Sequence, residues 1–88
     1  MELSERAIQS FEREGFDNIY EHQDPPGKVY EEHSHPTKQA VFVTDGSITY
    51  SINGVVKETV APNRFNIPAN TPHSAVVGPD GLIAIIAE

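Results

Sequence analysis

The feature that most restricts how this chain can fold is its punctuation. From residue 24 onward, turn-forming clusters recur at short intervals: DPPG at 24–27, DG at 45–46, NG at 53–54, APN at 61–63, PANTP at 68–72 and GPDG at 78–81. Such spacing leaves little room for a packed helix, which needs a long uninterrupted periodic run. Between the clusters lie short segments rich in Val, Ile, Thr, Phe and Tyr. Side chains of that kind fit a pleated surface, so the pattern predicts an antiparallel all-β sandwich or barrel. In ITYSINGVVKETV (48–60), Asn53-Gly54 predicts a hairpin with a type I′ turn.

Only the N-terminal stretch reads as helical. Leu3, Ala7, Ile8 and Phe11 fall on one face at helical spacing, which predicts a single short α-helix over about residues 5–14. Ser4 is the expected N-cap, Leu3 is placed to staple Ile8, and Gly15 is a natural stop. With 88 residues there is room for one domain, divided into an N-terminal helical part at 1–16 and a barrel at 17–88. The helix is expected to close one open side or end of the barrel. In QAVFV (39–43), Val41 and Val43 share one strand face while Ala40 and Phe42 share the other. A strand apolar on both sides must be covered on both sides, and this predicts a homodimer.

The chain carries a formal net charge of -7. A surface that acidic repels phosphate backbones and anionic lipid, so neither nucleic acid nor membrane is an expected partner. The longest apolar run, LIAIIA at 82–87, is too short to span a bilayer, and the opening residues lack the basic and apolar regions of a signal peptide. A cytoplasmic location is the expectation. There is no cysteine, which excludes disulfides, thiolate metal sites and thiol nucleophiles. No phosphate-binding loop, nucleophile elbow or zinc-protease helix is present.

The chemistry concentrates in HSHPTKQ, residues 33–39. Residues two apart on a strand share a face, so His33 and His35 point together, with Val29 and Glu31 beside them and Tyr30, Glu32 and Ser34 opposite. Two imidazoles so placed can chelate one ion. The wider stretch reads Gly27, five residues, His33, one residue, His35, three residues, Gln39, six residues, Gly46. It resembles the first motif of the cupin superfamily, except that the cupin pattern has Glu where this chain has Gln39. The second cupin motif is matched at Pro68 and His73. Pro62 and Asn70 stand where it has glycines, and Val77 where it has Asn. Asn tolerates positive φ, so Asn70 is expected to make the same turn. The resemblance covers the chain from about Asp24 onward.

What this resemblance implies is a single-domain cupin, a double-stranded β-helix or jelly-roll barrel, holding a metal inside. Carried over, the ligands are His33, His35, Gln39 and His73. The expected cofactor is one divalent transition metal per chain: zinc, nickel or iron, with manganese and copper as further candidates. A neutral amide ligates only through its carbonyl oxygen and leaves the divalent charge less compensated than a carboxylate does. That favours a fixed-valence Lewis acid over a redox-cycling metal, and on this reading Gln39→Glu tightens metal binding. Glu31, on the face of His33, and Tyr50, inward with Ile48 and Ile52, are the candidate catalytic side chains. Phe42, Phe65, Ile67, Val41 and Val43 are expected to wall the barrel, and His22 is read as a surface residue. The function implied is a metalloenzyme acting on a small organic molecule by dioxygenase, isomerase, lyase or cyclase chemistry. The alternative is a non-catalytic module that binds or senses a small molecule in the same cavity.

Overall fold

The computed structural model describes residues 2–88. One helix, α1 (Leu3–Arg13), precedes six strands: β1 (Ile19–Asp24), β2 (Val29–His33), β3 (Gln39–Ile52), β4 (Val55–Val60), β5 (Asn63–Ile67) and β6 (His73–Ala87). All pairings are antiparallel. Among the described residues, no helix is long and apolar enough to cross a membrane.

Two long strands organise the barrel. The first part of β6 pairs with β2 and with residues 48–52 of β3, while its last part pairs with β1 and with residues 40–46 of β3. Each long strand therefore serves two layers. β4 extends one layer beside β3 and β5 extends the other. The clusters at 45–46 and 78–81, expected as turns, lie inside β3 and β6. The β3–β6 ladder slips in register between Val43 and Asp45 and again between Gly46 and Ile48. A bulge bends a strand and raises its twist without ending it, which is how a strand crosses from one layer to the next. Gly46 has φ +79°, and a Cβ there would sit 1.9 Å from the carbonyl oxygen of Gly81. The two backbones touch at this crossing, and only glycine permits it.

The hairpin expected at Asn53-Gly54 is present, with φ of 51° and 82° and Ile52 paired to Val55. Asn70 also adopts positive φ, at 55°. Inside the barrel, Val41, Val43, Ile48, Tyr50, Phe65, Ile67, Val77, Leu82 and Ala84 form one buried cluster. Phe42, expected in that wall, faces the other way.

The outer face of the β1–β6–β3 layer is covered by the chain's own helix. Ala7 and Phe11 of α1 pack with Ala40, Ile85 and Ala87, flanked by Ile8, Phe16, Ile19 and Phe42. The two-sided apolar character of QAVFV is thereby satisfied within one chain, so it does not call for a second copy. The helix lies along a sheet face rather than over a barrel end. It starts earlier than expected: Glu2 is the N-cap, makes no side-chain cap bond, and Ser4 sits within the first turn. Both Glu2 and Leu3 are exposed, so the first N–H groups are open to solvent and no capping hydroxyl is required. The C-terminus closes as a Schellman motif. Gly15, at φ +91°, donates to Glu12, and Phe16 donates to Phe11. The accompanying apolar contact is Phe11 against Phe16, edge to face at 5.7 Å between ring centres. Arg64 of β5 stacks 4.9 Å from the Phe11 ring centre, and its Nη2 donates to Glu14 at 2.8 Å.

Phe11 is 1% exposed, so truncation leaves a cavity under the helix as well as losing burial. Phe11→Ala is expected to lower the unfolding free energy by about 3–5 kcal/mol, read from urea denaturation. A loss under about 1 kcal/mol would show that the helix contributes little to the barrel.

Candidate metal centre

Three elements bring three imidazoles together. His33 ends β2 and is the register partner of His73, which begins β6. His35 follows in the loop before β3, where its carbonyl accepts the Asn70 N–H at 2.6 Å. That bond ties the HSHP loop to the Pro68–Pro72 turn and fixes how close His35 comes to His73. The ring centres lie 4.3 Å (His33–His73), 4.7 Å (His33–His35) and 5.1 Å (His35–His73) apart. One nitrogen from each lies within 4.8 Å of the others. Burial is graded: His73 is buried, His35 half-buried and His33 exposed, so the cluster opens to solvent on the His33 side.

The backbone sets the tautomers of two rings. His33 Nδ1 lies 2.6 Å from the Glu31 carbonyl and His73 Nδ1 lies 2.9 Å from the Thr71 carbonyl. A carbonyl only accepts, so each Nδ1 carries a proton, and in the neutral ring the lone pair is then on Nε2. Nitrogen lone pairs oriented by a second-nitrogen hydrogen bond are what a transition metal requires of histidine. Burial, with His33 and His73 nearby, pushes the His35 pKa below its usual value, against a smaller opposing pull from the Glu88 carboxylate. His35 is therefore held neutral, the form that ligates. The donor set fits zinc, nickel, iron or copper.

Gln39 opens β3 and lines the same cavity. Its Nε2 donates to Glu88 Oε2 at 2.8 Å, and Asn18 Nδ2 donates to the other Glu88 oxygen at 2.9 Å. Glu31 does not reach the cavity. It is exposed and borders a separate depression on the outside of the barrel with Val29, Thr49 and Val76. The cause is a register irregularity in β2 between Tyr30 and His33, which breaks simple alternation. Tyr30, expected to point away from the histidines, shares their cavity as a result. Tyr50 does face inward. Its ring stacks on Phe65 at 4.0 Å, and its hydroxyl accepts from Thr59 at 3.3 Å.

The cavity measures about 260 Å³ and is mostly apolar, walled by residues such as Val41, Ile48, Ile67 and Leu82. A second polar group sits in it. His22, read from the sequence as a surface residue, is half-buried, its Nε2 3.0 Å from Asp24 Oδ2 and 2.9 Å from the Tyr30 hydroxyl. Tyr30 donates to that same Asp24 oxygen at 2.6 Å. Burial, and then the hydrogen bond to Asp24, hold the Tyr30 hydroxyl well above the usual phenol range. The resting form is a neutral phenol bonded to a carboxylate whose side chain is 7% exposed. The signal for this group was in YEHQD (20–24): Tyr20, His22 and Asp24 alternate on one strand face, and all three line the cavity.

No family model and no curated protein sequence matches the chain. Solved structures do. A cupin-like protein from Thermotoga maritima is 29% identical over 80% of this chain and 54% of its own length, with a TM-score of 0.71. An RmlC-like cupin from Shewanella frigidimarina is 28% identical over 78% of this chain and 61% of its own, with a TM-score of 0.71. A Bacillus subtilis oxalate decarboxylase superposes with a TM-score of 0.73 at 18% identity, over 78% of this chain and 20% of its own, a likeness of fold alone. The chain spans less than two thirds of each of these proteins.

The depressed His35 pKa fixes the sign of a pH effect in metal-free protein. Between the folded and unfolded pKa values, the unfolded chain binds the extra proton, so stability falls as pH drops below about 6.5. Melting temperature measured from pH 7.5 to 5 in chelator should decline, and His35→Gln should flatten part of that decline. An unchanged slope in the variant would contradict the placement of His35 among the other two rings.

Proposed function

We propose that this protein, a member of the cupin superfamily, holds one divalent transition metal on His33, His35 and His73 and acts through it on a small organic anion. The observation that carries the proposal is that one nitrogen from each of three rings lies within 4.8 Å of the others, while Nδ1 of His33 and of His73 is spent on a backbone carbonyl, so Nε2 is the nitrogen each has left for a metal. A bound divalent cation supplies Lewis-acid polarisation of a substrate oxygen. Three imidazoles and an amide are all neutral, so an anionic oxygen ligand is favoured at the remaining positions. A cavity of about 260 Å³ suits a small acid.

The Tyr30–Asp24–His22 cluster supports an enzyme over a passive binder. In this proposal, a substrate proton passes to the Tyr30 oxygen as the phenolic proton passes to Asp24 Oδ2, so no free phenolate forms. His22 Nε2 bridges the two oxygens and steadies the charge. Such proton relay on a polarised anion fits lyase or isomerase chemistry. Glu31 takes no part, and Tyr50 acts as a wall of the cavity. A homodimer remains part of the proposal on a different surface from the one expected. The exposed Val29, Val56 and Val76 lie outside the layer that α1 leaves uncovered, and a second copy would bury them.

Elemental mass spectrometry should find about one zinc, nickel or iron per chain, lost in His73→Ala, with folding checked by circular dichroism. Metal retained at full stoichiometry in that variant would sink the site. Metal-loaded protein screened by proton NMR against small hydroxy- and keto-acids should convert one of them, and Tyr30→Phe should slow that conversion by about 10²-fold or more while leaving metal content intact. Binding without conversion across the panel would favour the sensing module instead.

A further inference from the structure

We infer that Glu88 is a positioning residue for the metal centre: its carboxylate turns the Gln39 amide so that the carbonyl oxygen is the end left for the metal, and it supplies from behind the negative charge that Gln39 lacks. The inference rests on the three-histidine metal site proposed above. Its starting point is a hydrogen bond whose direction is unambiguous. A carboxylate only accepts, so the Gln39 atom 2.8 Å from Glu88 Oε2 is the amide nitrogen, and the flip of the side chain is settled. The free end is Oε1, the only Gln39 side-chain atom able to ligate a cation.

Glu88 is itself held. Its other carboxylate oxygen accepts from Asn18 Nδ2 at 2.9 Å. Its backbone exchanges two hydrogen bonds with Asn18, at 3.1 and 2.9 Å. These bonds continue the β1–β6 ladder by one pair beyond Ile19 and Ala87. The carboxylate is thus anchored by a sheet edge on one side and spends its remaining oxygen on Gln39. Orientation of a ligand from behind by a carboxylate is a general means of raising its donor strength, and loss of such a partner commonly costs about 10–100-fold in metal affinity.

The sequence alone leads to the expectation that Gln39→Glu tightens metal binding. The structure revises it. A carboxylate at 39 would face the Glu88 carboxylate across a hydrogen-bond distance, and two carboxylates so close cannot both ionise freely. The full gain requires Glu88→Gln as well, because a glutamine at 88 can donate to the new carboxylate and restore the bond with its polarity reversed.

The test is a double-mutant cycle of Zn²⁺ affinity, measured by competition with a chromophoric chelator in wild type, Glu88→Gln, Gln39→Glu and the double variant. Glu88→Gln is nearly isosteric, and thermal melts report whether each variant is folded. Expected is a loss of about tenfold or more for Glu88→Gln in the wild-type background, and no loss, or a gain, in the Gln39→Glu background. Asn18→Ala, which cuts the anchor but spares the Gln39 contact, should lose less than Glu88→Gln. A loss below about tenfold in wild type overturns the inference, as does an equal loss in both backgrounds, which would mark Glu88 as a remote charge. So does a loss in Asn18→Ala equal to that in Glu88→Gln. A site that binds Zn²⁺, fails in His33→Ala and ignores Glu88 overturns this inference alone. Wild-type protein that takes up no Zn²⁺ overturns the metal site and this inference together.

Discussion

The pairing of β3 with β6 is the constraint on which the rest of the structure depends. Each strand runs through both layers, and each must bend where the layers meet. The bend is possible because Gly46 carries no Cβ, which lets its backbone come against that of Gly81 there. With the crossing set, residues 48–52 of β3 align with 73–77 of β6, which carries His73 to the mouth of the barrel. On the other layer, Gln39 at the head of β3 comes to the side of Glu88, just past the end of β6. A barrel this small has little core to spare, so the helix on the outer face is a second, separate core rather than an ornament. Arg64 joins the two by stacking on Phe11 while its strand pairs with β3.

Much of this was legible in the sequence, and the parts that were not failed for identifiable physical reasons. The spacing of turn residues gave the all-β class, and Asn53-Gly54 made the turn its chemistry demands. The helix stop at Gly15 followed from the same rule of positive φ. The clusters at 45–46 and 78–81 misled because a glycine that ends a strand and a glycine that bends one look alike in sequence. Only the partner strand, here Gly81 against Gly46, distinguishes them. Alternation put Val41 on its inward face, while His35 joins His33 from a loop rather than along a strand, and Tyr30 and Glu31 were misplaced, since a bulge inverts every face on one side of it. Glu88 could not have been read at all. It meets Gln39 across 49 positions of sequence, and no local pattern marks such a contact.

The cavity has two polar poles in an apolar lining. One is three clustered imidazoles with an amide bonded to a carboxylate beside them; the other is a carboxylate shared by a phenol and an imidazole. Among the described residues, no fully buried side-chain nitrogen or oxygen lacks a partner. The polar groups are therefore placed rather than stranded, which costs a small core comparatively little. In each pole the protein holds its negative charge where a hydrogen bond already satisfies it. On the proposed reading, a substrate entering between them would meet oriented groups and need not reorganise them.

The central claim is that three imidazoles converge on one metal ion. X-ray absorption at the zinc edge of Zn²⁺-loaded protein tests it most directly, because the outer scattering of imidazole rings counts histidines at the metal. The account predicts three rings with nitrogen at about 2.0–2.1 Å and at least one further oxygen ligand. A shell made mainly of oxygen, or one with a single imidazole, would contradict it and would leave His33, His35 and His73 as the lining of a pocket without a metal.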